Sequence, residues 1–233
     1  MAHYDSADLL ARCKLYAQRP STDASMSDAN WYSLLTEAQE HWYEQFAVHC
    51  PWAIMTAPTL LTSADDNVTY DFPDDADTNP IVPMHVTIFE TENGRMLIPC
   101  TYWDSGGDYV WEGSHIRFPG NVAKTFSSGP YARFITPPAA IAAGSAPSLQ
   151  PIRARKLIVY NAVAKWARRG GFRDPKPYDE EETKAWYGDP ARGILGLLGE
   201  LKMANPFAGM ESMTGYDVSP YQMIDTGAGY PTP

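Results

Sequence analysis

Aspartates crowd one stretch of the sequence, where their carboxylates could ligate a cation. They are Asp65, Asp66, Asp71, Asp74, Asp75 and Asp77. The spacing Asp75-x-Asp77-x-Asn79 copies the first ligand positions of a calcium-binding loop. That loop needs a glycine at its sixth position and a bidentate glutamate at its twelfth, but this chain has Pro80 and Val86 there. We therefore predict a solvated acidic loop at 65–77 and no bound metal.

Histidines and cysteines could supply metal ligands, an acid–base pair or a nucleophile. His41 and His49 share one predicted helix without the HExxH spacing of a zinc enzyme, and His49 falls on the apolar stripe of that helix. Cys13, Cys50 and Cys100 are widely spaced and form no CxxC pair, which indicates reduced thiols and no structural zinc. We interpret these side chains as packing residues.

Sequence motifs of common enzymes are also missing. The chain has no GxSxG nucleophile motif, no P-loop and no GxGxxG motif that opens a helix. We therefore predict that the protein is not an enzyme and uses no cofactor. The alternative from a different class is a soluble binding module, or a hydrolase with an unrecognised site in the β-rich part of the chain.

Positive charge is concentrated in the stretch 151–169. Seven basic residues and no acidic one lie from 153 to 173, although the whole chain carries a formal charge of −10. At 100° per residue, one half of this predicted helix is apolar. The other half carries Arg155, Lys165, Arg168 and Arg169. These cations could neutralise phosphates of nucleic acid, or they could pair with acidic side chains of the same chain or of a neighbour. We favour a protein contact, because the sequence has no helix-turn-helix or other reader motif.

The apolar half of 151–169 needs a partner, and an earlier helix offers one. Ser27 or Asp28 can cap a helix that runs to about Cys50, where Pro51 stops it. One face of that helix is apolar and aromatic, and it comprises Trp31, Leu34, Leu35, Ala38, Trp42, Phe46 and His49. We predict that this stripe packs against the apolar half, Ile152 to Trp166.

Between these two helices the pattern changes to that of short antiparallel strands. Strands are predicted over 68–72, 84–90, 95–102, 109–111, 115–118 and 131–135, with tight turns at 92–94 and 112–114. The stretch 137–151, rich in Ala, Ser and Pro, is predicted to link back to the helical part. Further helices are predicted over 5–18, 178–187 and 191–203.

These elements predict an α+β fold: a helical bundle with an inserted antiparallel β-rich lobe and an extended C-terminal arm. The helical domain would comprise 1–57 and 151–203, the lobe 58–150 and the arm 204–233. No run is long and apolar enough for a membrane helix, and the first ten residues lack the features of a secretory signal. The acidic balance argues against wrapping of nucleic acid, and it suits a surface past which DNA slides.

This order of elements, together with three short motifs, resembles the head-to-tail adaptor (connector) proteins of tailed bacteriophages. Thr69-Tyr70-Asp71-Phe72-Pro73 resembles the Tyr-Asp-Leu-Pro strand of that family. The stretch 111–119, WEGSHIRFP, resembles its Glu-Gly-x-x-Ile-x-x-x-Pro hairpin, and 157–162, LIVYNA, resembles its Leu-Val-x-x-Ala helix. The resemblance covers about residues 5–203, and the acidic segment 74–80 and the tail from 204 have no counterpart in it.

The resemblance implies a structural, non-enzymatic virion protein that forms a ring, commonly a dodecamer, beneath the portal protein. Such a ring joins the DNA-filled head to the tail proteins, and DNA passes through its lumen. The protein would be made in the host cytoplasm, would reside in the neck of the virion and would not contact a membrane. The alternative within this class is a tail-completion or head-stopper ring protein.

Two groups of residues are the candidates for a subunit or portal interface. The first is the basic half of 151–169, represented by Arg155, Lys165, Arg168 and Arg169. The second is the aromatic content of the C-terminal arm, whose sequence has no periodicity and needs a neighbouring subunit or another protein to hold it. It is represented by Phe207, Tyr216, Tyr221 and Tyr230.

Overall fold

Capping residues set the starts of the two N-terminal helices. Helix α1 is Ser6–Ala17, and the side chain of Asp5 accepts a hydrogen bond from the backbone N–H of Asp8 at 2.8 Å. Helix α2 is Asp28–His49, and Ser27 accepts from the backbone N–H of Asn30 at 3.2 Å. Such caps satisfy backbone donors that the first turn of a helix leaves unpaired. Both helices match the sequence-based prediction.

The computed structural model describes residues 4–18, 26–63, 68–74, 81–92, 94–100, 106–119, 126, 129–149, 152–170 and 174–204. It shows an α+β fold with two compact units. A helical unit takes the chain up to Ala53 and from Ala139 onward, and a β unit takes Ile54–Pro138. No helix within the described residues has the length and apolar character to span a membrane. Apart from Ala204, the predicted C-terminal arm lies outside the described residues.

Helix α3, Arg155–Arg168, is the centre of the helical unit and follows a short 3-10 turn, Ile152–Ala154. It packs on α2, and the rings of Trp31 and Trp166 lie 5.7 Å apart. The predicted packing of the two apolar stripes is therefore confirmed. Burial extends beyond the predicted half and includes Leu157, Ile158, Val159, Asn161, Ala162, Val163, Ala164, Trp166 and Ala167. Ile152 departs from the prediction, because 49% of its surface is exposed.

The chain after α3 forms two helices with a small hairpin between them. Helix α4 is Lys176–Tyr187, strands β8 and β9 are Gly188–Asp189 and Ile194–Leu195, and helix α5 is Leu197–Met203. The prediction of one helix over 191–203 is therefore wrong in its first half. Gly193 adopts a left-handed φ of 66°, which favours a turn over a helix. Gly188 and Gly196 also cross so closely that a Cβ on either would meet the backbone of the other.

Short antiparallel strands build the β unit in two sheets. Their bounds are Thr59–Leu60 (β1), Thr62–Ser63 (β2), Thr69–Asp71 (β3), His85–Phe89 (β4), Val110–Glu112 (β5), His115–Arg117 (β6) and Tyr131–Ile135 (β7). One sheet has the order β1-β7-β4 and the other β2-β3-β6-β5. The predicted strand 95–102 is wrong in its described part, where only single bridges from Met96 and Pro99 occur. The core of this unit includes Tyr70, Phe72, Ile88, Ile116, Phe118 and Phe134.

The segment 139–149, which the sequence placed in the lobe as a linker, belongs to the helical unit. Gln39 of α2 clamps it at both ends: its Nε2 donates to the carbonyl of Ala139, and its Oε1 accepts from the N–H of Ser148, each at 2.8 Å. Tyr43 donates to the carbonyl of Ser148 at 3.0 Å. We call this segment the strap. Its lack of periodicity concealed that the side chains of α2 supply its hydrogen bonds.

Candidate docking surface

Arg155 was predicted to lie on the exposed basic half of α3, but the structure shows that it is buried. The residue is only 6% exposed. Its guanidinium donates to three backbone carbonyls, those of Pro147 at 2.8 Å, Leu149 at 3.0 Å and Tyr4 at 3.3 Å. A buried guanidinium with several donors can satisfy carbonyls of irregular backbone that no helix or strand supplies with N–H groups. Arg155 therefore ties the strap and the N-terminus of the chain to α3.

The other three cations of the predicted interface also have partners within the helical unit. Arg168 donates to both carboxylate oxygens of Asp179 on α4 at 2.6 Å, and Arg169 donates to those of Glu37 on α2 at 3.1 and 2.7 Å. Lys165 donates to the backbone carbonyl of Glu37 at 3.0 Å. Partial burial lowers the pKa of Lys165, and the nearby Glu37 opposes that shift. The arrangement matches the option in which the basic half pairs with acidic helices of the same chain.

A carboxylate beneath this basic face joins three helices without a salt bridge among the described residues. The Oε1 atom of Glu182 on α4 accepts from Trp42 Nε1 on α2 at 2.9 Å and from Asn161 Nδ2 on α3 at 2.8 Å. Burial raises the pKa of Glu182, although these two hydrogen bonds lower it. Because both donors are neutral and come from different helices, these hydrogen bonds fix α4 against α2 and α3. We interpret Glu182 as a structural hydrogen-bond acceptor.

Of the side chains that could act in catalysis, His41 and His49 lie on α2, Cys50 follows that helix and His85 begins β4. Burial lowers the pKa values of His41, His49 and His85, and burial raises the pKa of the Cys50 thiol to about 12. A thiol with so high a pKa holds almost no thiolate near neutral pH. No group of three or more His, Cys, Asp or Glu side chains within the described residues could hold a metal. The calcium-like Asp75-x-Asp77-x-Asn79 lies outside those residues.

In the β unit, where the alternative of a hydrolase would place its site, the hairpin of β5 and β6 carries a contact between a histidine and a carboxylate. His115 Nε2 lies 3.2 Å from Glu112 Oε2, and Arg117 binds Glu112 Oε1 at 2.6 Å. The guanidinium of Arg117 is the main cause that lowers the pKa of Glu112. The carboxylate is therefore already neutralised on the open surface of a hairpin. This arrangement is typical of an ion pair that stabilises a turn.

Exposed apolar side chains mark a different part of the helical unit, around β8, β9 and α5. Tyr187, Ile194, Leu195 and Met203 are exposed over 60%, 57%, 51% and 81% of their surfaces. Leu195 lies against Gly199 of α5, and Met203 follows Gly199 by one turn on the same helix face. Leu195 and Met203 therefore lie near one another, and Tyr187 and Ile194 belong to the same segment, at the end of α4 and in β9. We call these four exposed side chains the hairpin surface.

A cleft of about 270 Å³ opens beside the hairpin surface. Helix α3 contributes two of its lining residues, and α4 and the hairpin contribute the rest. They include Lys156, Tyr160, Lys184, Asp189, Arg192 and Ile194. Lys156 makes no ion pair or hydrogen bond with any described residue. The lining carries three basic side chains and two acidic ones, Glu181 and Asp189. Exposed apolar side chains beside such a cleft are typical of a surface that binds protein.

The sequence-based prediction missed the hairpin surface because it placed 191–203 in a single helix. A usable signal was present, since Gly188, Gly193, Gly196 and Gly199 interrupt a short apolar run and glycine is the poorest helix former after proline. The predicted contacts Phe207, Tyr216, Tyr221 and Tyr230 lie outside the described residues. No model of a known protein family matches the chain, and no curated protein matches it significantly.

Proposed function

We propose that the protein is a structural component of a tailed-bacteriophage virion, a head-to-tail adaptor that forms a ring beneath the portal protein. The ring joins the capsid to the tail and extends the DNA channel. The protein is made in the host cytoplasm and resides in the neck of the particle. Support comes from the motifs at 69–73, 111–119 and 157–162, and from the order of helices and inserted strands, which resembles the order in the same family.

The observation that carries the proposal is the hairpin surface. Exposed apolar side chains that lie together mark sites of protein association. Elsewhere on this unit, Arg168 and Arg169 of α3 are already bound by carboxylates of α4 and α2. A ring needs two different surfaces on each subunit that fit one another around a closed rotation. The hairpin surface supplies the apolar half of such a contact.

The charge of the chain is compatible with a DNA channel. A formal charge of −10 on each subunit, repeated around a ring, repels the phosphates of DNA. DNA could then pass through the lumen without binding to the wall. Because Arg168 and Arg169 are neutralised by Asp179 and Glu37, they do not offer a free basic band to the DNA. We therefore assign Arg168 and Arg169 to the stability of the subunit.

Assembly measured against protein concentration tests the proposal. We expect the purified protein, alone or with particles of its portal protein, to convert from monomer to a closed ring, and mass photometry would give its mass. Ile194→Asp should raise the concentration needed for half-assembly more than about tenfold, because losing the burial of one large apolar side chain costs about 1.5–3 kcal/mol. Leu15→Asp is the matched control, since Leu15 is 70% exposed on α1. A protein that stays monomeric at every concentration and ignores portal particles would contradict the proposal.

A further inference from the structure

Asn161 of α3 has a buried oxygen whose hydrogen bond is missing. The residue is only 7% exposed, and its Oδ1 atom has no partner among the described residues. Its Nδ2 atom donates to Glu182 Oε1 on α4 at 2.8 Å. A buried acceptor without a donor loses its hydration and gains nothing in return, so folded proteins almost always supply one. The packing of α3 and α4 therefore needs a donor at this oxygen.

Two donors of the neighbouring side chains are bound elsewhere, and Glu182 itself can supply the one that is missing. Trp42 Nε1 donates to Glu182 Oε1 at 2.9 Å. Lys165, one turn after Asn161 on α3, donates to the backbone carbonyl of Glu37 at 3.0 Å. An ionised carboxylate only accepts hydrogen bonds, whereas a protonated carboxyl group carries an O–H donor. With its proton on Oε2, Glu182 would offer Asn161 both a donor and an acceptor.

The charges around Glu182 favour this protonated form. Arg168 is bound by Asp179 at 2.6 Å, so it does not form an ion pair with Glu182 within the described residues. Partial burial is the main cause that raises the pKa of Glu182; Asp179 adds to the shift and Arg168 opposes it. The titratable and charged groups around Glu182 and its neighbour Lys165 are Glu37, Glu40, His41 and Glu44 of α2, Lys165, Arg168 and Arg169 of α3, and Asp179 of α4.

We propose that Glu182 and Asn161 form a proton-dependent pair that fixes α4 to α3. In the closed pair, the O–H on Glu182 Oε2 donates to Asn161 Oδ1, and Asn161 Nδ2 donates to Glu182 Oε1. When the proton passes to water, Asn161 Oδ1 loses its donor and a negative charge is left between the helices. The pair is therefore closed at low pH, and it weakens as the pH rises through the folded pKa of Glu182.

The pair acts on the end of α4 from which the hairpin surface extends. Trp42, which also donates to Glu182, has its ring 4.9 Å from that of Trp186. Trp186 is 2% exposed and lies one turn after Glu182 on the same face of α4. Tyr187 of the hairpin surface follows directly. Opening of the pair should therefore loosen both α4 and the start of the hairpin. This inference concerns the single folded chain and does not rest on the proposed ring.

Carbon-13 NMR of the glutamate carboxyl groups in the wild-type full chain measures the protonation directly. Loss of one signal in Glu182→Gln confirms the assignment, and Glu181→Gln is the matched control, since the Glu181 side chain is 53% exposed on the same helix. We expect the Glu182 signal to titrate above the ordinary glutamate value of about 4.3. The side-chain amide signals of Asn161 should shift with the same midpoint. A Glu182 signal that titrates at or below the ordinary value would overturn the inference.

Amide hydrogen exchange across α4 tests the effect of the pair on the helix. Protection of Lys176–Tyr187, corrected for the intrinsic exchange rate, should be highest at low pH. It should fall by up to about tenfold per pH unit between the ordinary carboxyl pKa and the folded pKa of Glu182, because one proton is lost on closing over this range.

The same two variants separate the pair from other titrating groups. The amide group in Glu182→Gln keeps the acceptor and replaces the O–H by an N–H donor, so this variant should hold the low-pH protection at every pH. Glu181→Gln should keep the wild-type profile. Wild-type protection that does not fall with pH would overturn the inference. Lower protection in Glu182→Gln than in the wild type at low pH would overturn it too, because Asn161 Oδ1 would then not use a donor at position 182.

Discussion

The helical unit has two surfaces that differ in their contacts. The basic face of α3, which carries Lys165, Arg168 and Arg169, is bound by other helices of the unit, whereas the hairpin surface is exposed. Arg168 and Arg169 stand out in the sequence, yet each is held by a carboxylate of a neighbouring helix. Ile194 and Leu195 do not stand out, yet they are exposed in the folded unit. A concentration of charge in a sequence can therefore mark the place where a chain binds itself. Exposed apolar residues on a glycine-rich hairpin are the better guide to a partner.

Among the basic residues of α3, we expect a substitution of Arg155 to cause the largest loss of stability. Arg155→Met keeps the length of the side chain and removes its donors, which leaves the buried carbonyls of Pro147 and Leu149 unpaired. We expect a loss of about 3 kcal/mol in the free energy of unfolding, since a hydrogen bond to a charged group contributes about 1.5–3 kcal/mol. Urea denaturation would measure it. Arg153→Met, at a side chain that is 65% exposed, should cost less than about 1 kcal/mol. Equal losses at the two positions would contradict the buried role of Arg155.

The hairpin surface depends on the crossing of two glycines, so the next largest effect should come from Gly196→Ala. Its methyl group would collide with the backbone of Trp186 and Gly188. The collision can be relieved only if one of the two backbone segments moves. We expect a cost of about 2 kcal/mol or more in thermal unfolding. Gly193→Ala is the control, because the site is open and only the left-handed backbone is strained. That strain costs about 1–2 kcal/mol. A Gly196→Ala protein as stable as the Gly193→Ala protein would argue against this crossing.

Glu182, which joins α4 to α2 and α3, should make the unfolding free energy depend on pH. Burial raises its pKa in the folded protein, so the folded state binds its proton more tightly than the unfolded state. The unfolding free energy should therefore fall as the pH rises from below the usual carboxyl pKa through the raised folded value. Glu182→Gln should flatten this part of the profile. It should also be as stable as the wild type at pH 7, or more stable by up to about 1 kcal/mol, the size of one neutral hydrogen bond. Denaturation at several pH values would measure both effects, and a stability that rises over this range would contradict the assignment.

The smallest effects should come from the exposed ends of the basic face. Arg168→Gln and Arg169→Gln each remove one ion pair whose arginine side chain is 52% or 60% exposed. Exposed pairs contribute about 0.2–1 kcal/mol and weaken with salt. We expect losses in that range in low salt and smaller ones in about 1 M NaCl. A loss that is large and independent of salt would mean that these pairs do more than link exposed helices.

Local signals in the sequence were sufficient for the main helices and for part of the β unit. Ser27 and Pro51 bound α2, and the strand Tyr131–Ile135 matches its alternating pattern. Strands β1 and β2 escaped prediction because two residues carry no readable period. The burial of Arg155 was also not predicted. Its partners are backbone carbonyls of the strap, and the residue types of the strap give no sign that these carbonyls need a donor.

The candidate site was the least predictable part, because it depends on which charges find partners after folding. Helical periodicity placed Lys165, Arg168 and Arg169 outside the core correctly but misplaced Arg155 and Ile152. It could not show that Glu37 and Asp179 would pair with the exposed cations. The exposed residues Ile194 and Leu195 directly follow the turn at Gly193, where a helix was predicted. Tertiary contacts therefore decided which of two surfaces remained open.

The central claim is that association uses the hairpin surface and leaves the basic face to the subunit itself. Mass photometry of portal particles mixed with three proteins would test it most directly. These are the wild type, the double variant Ile194→Asp/Leu195→Asp and the double variant Arg168→Gln/Arg169→Gln. We predict that the wild type and the arginine variant add the mass of a full ring, while the hairpin variant adds none. Full binding by the hairpin variant, together with loss of binding by the arginine variant, would contradict the account.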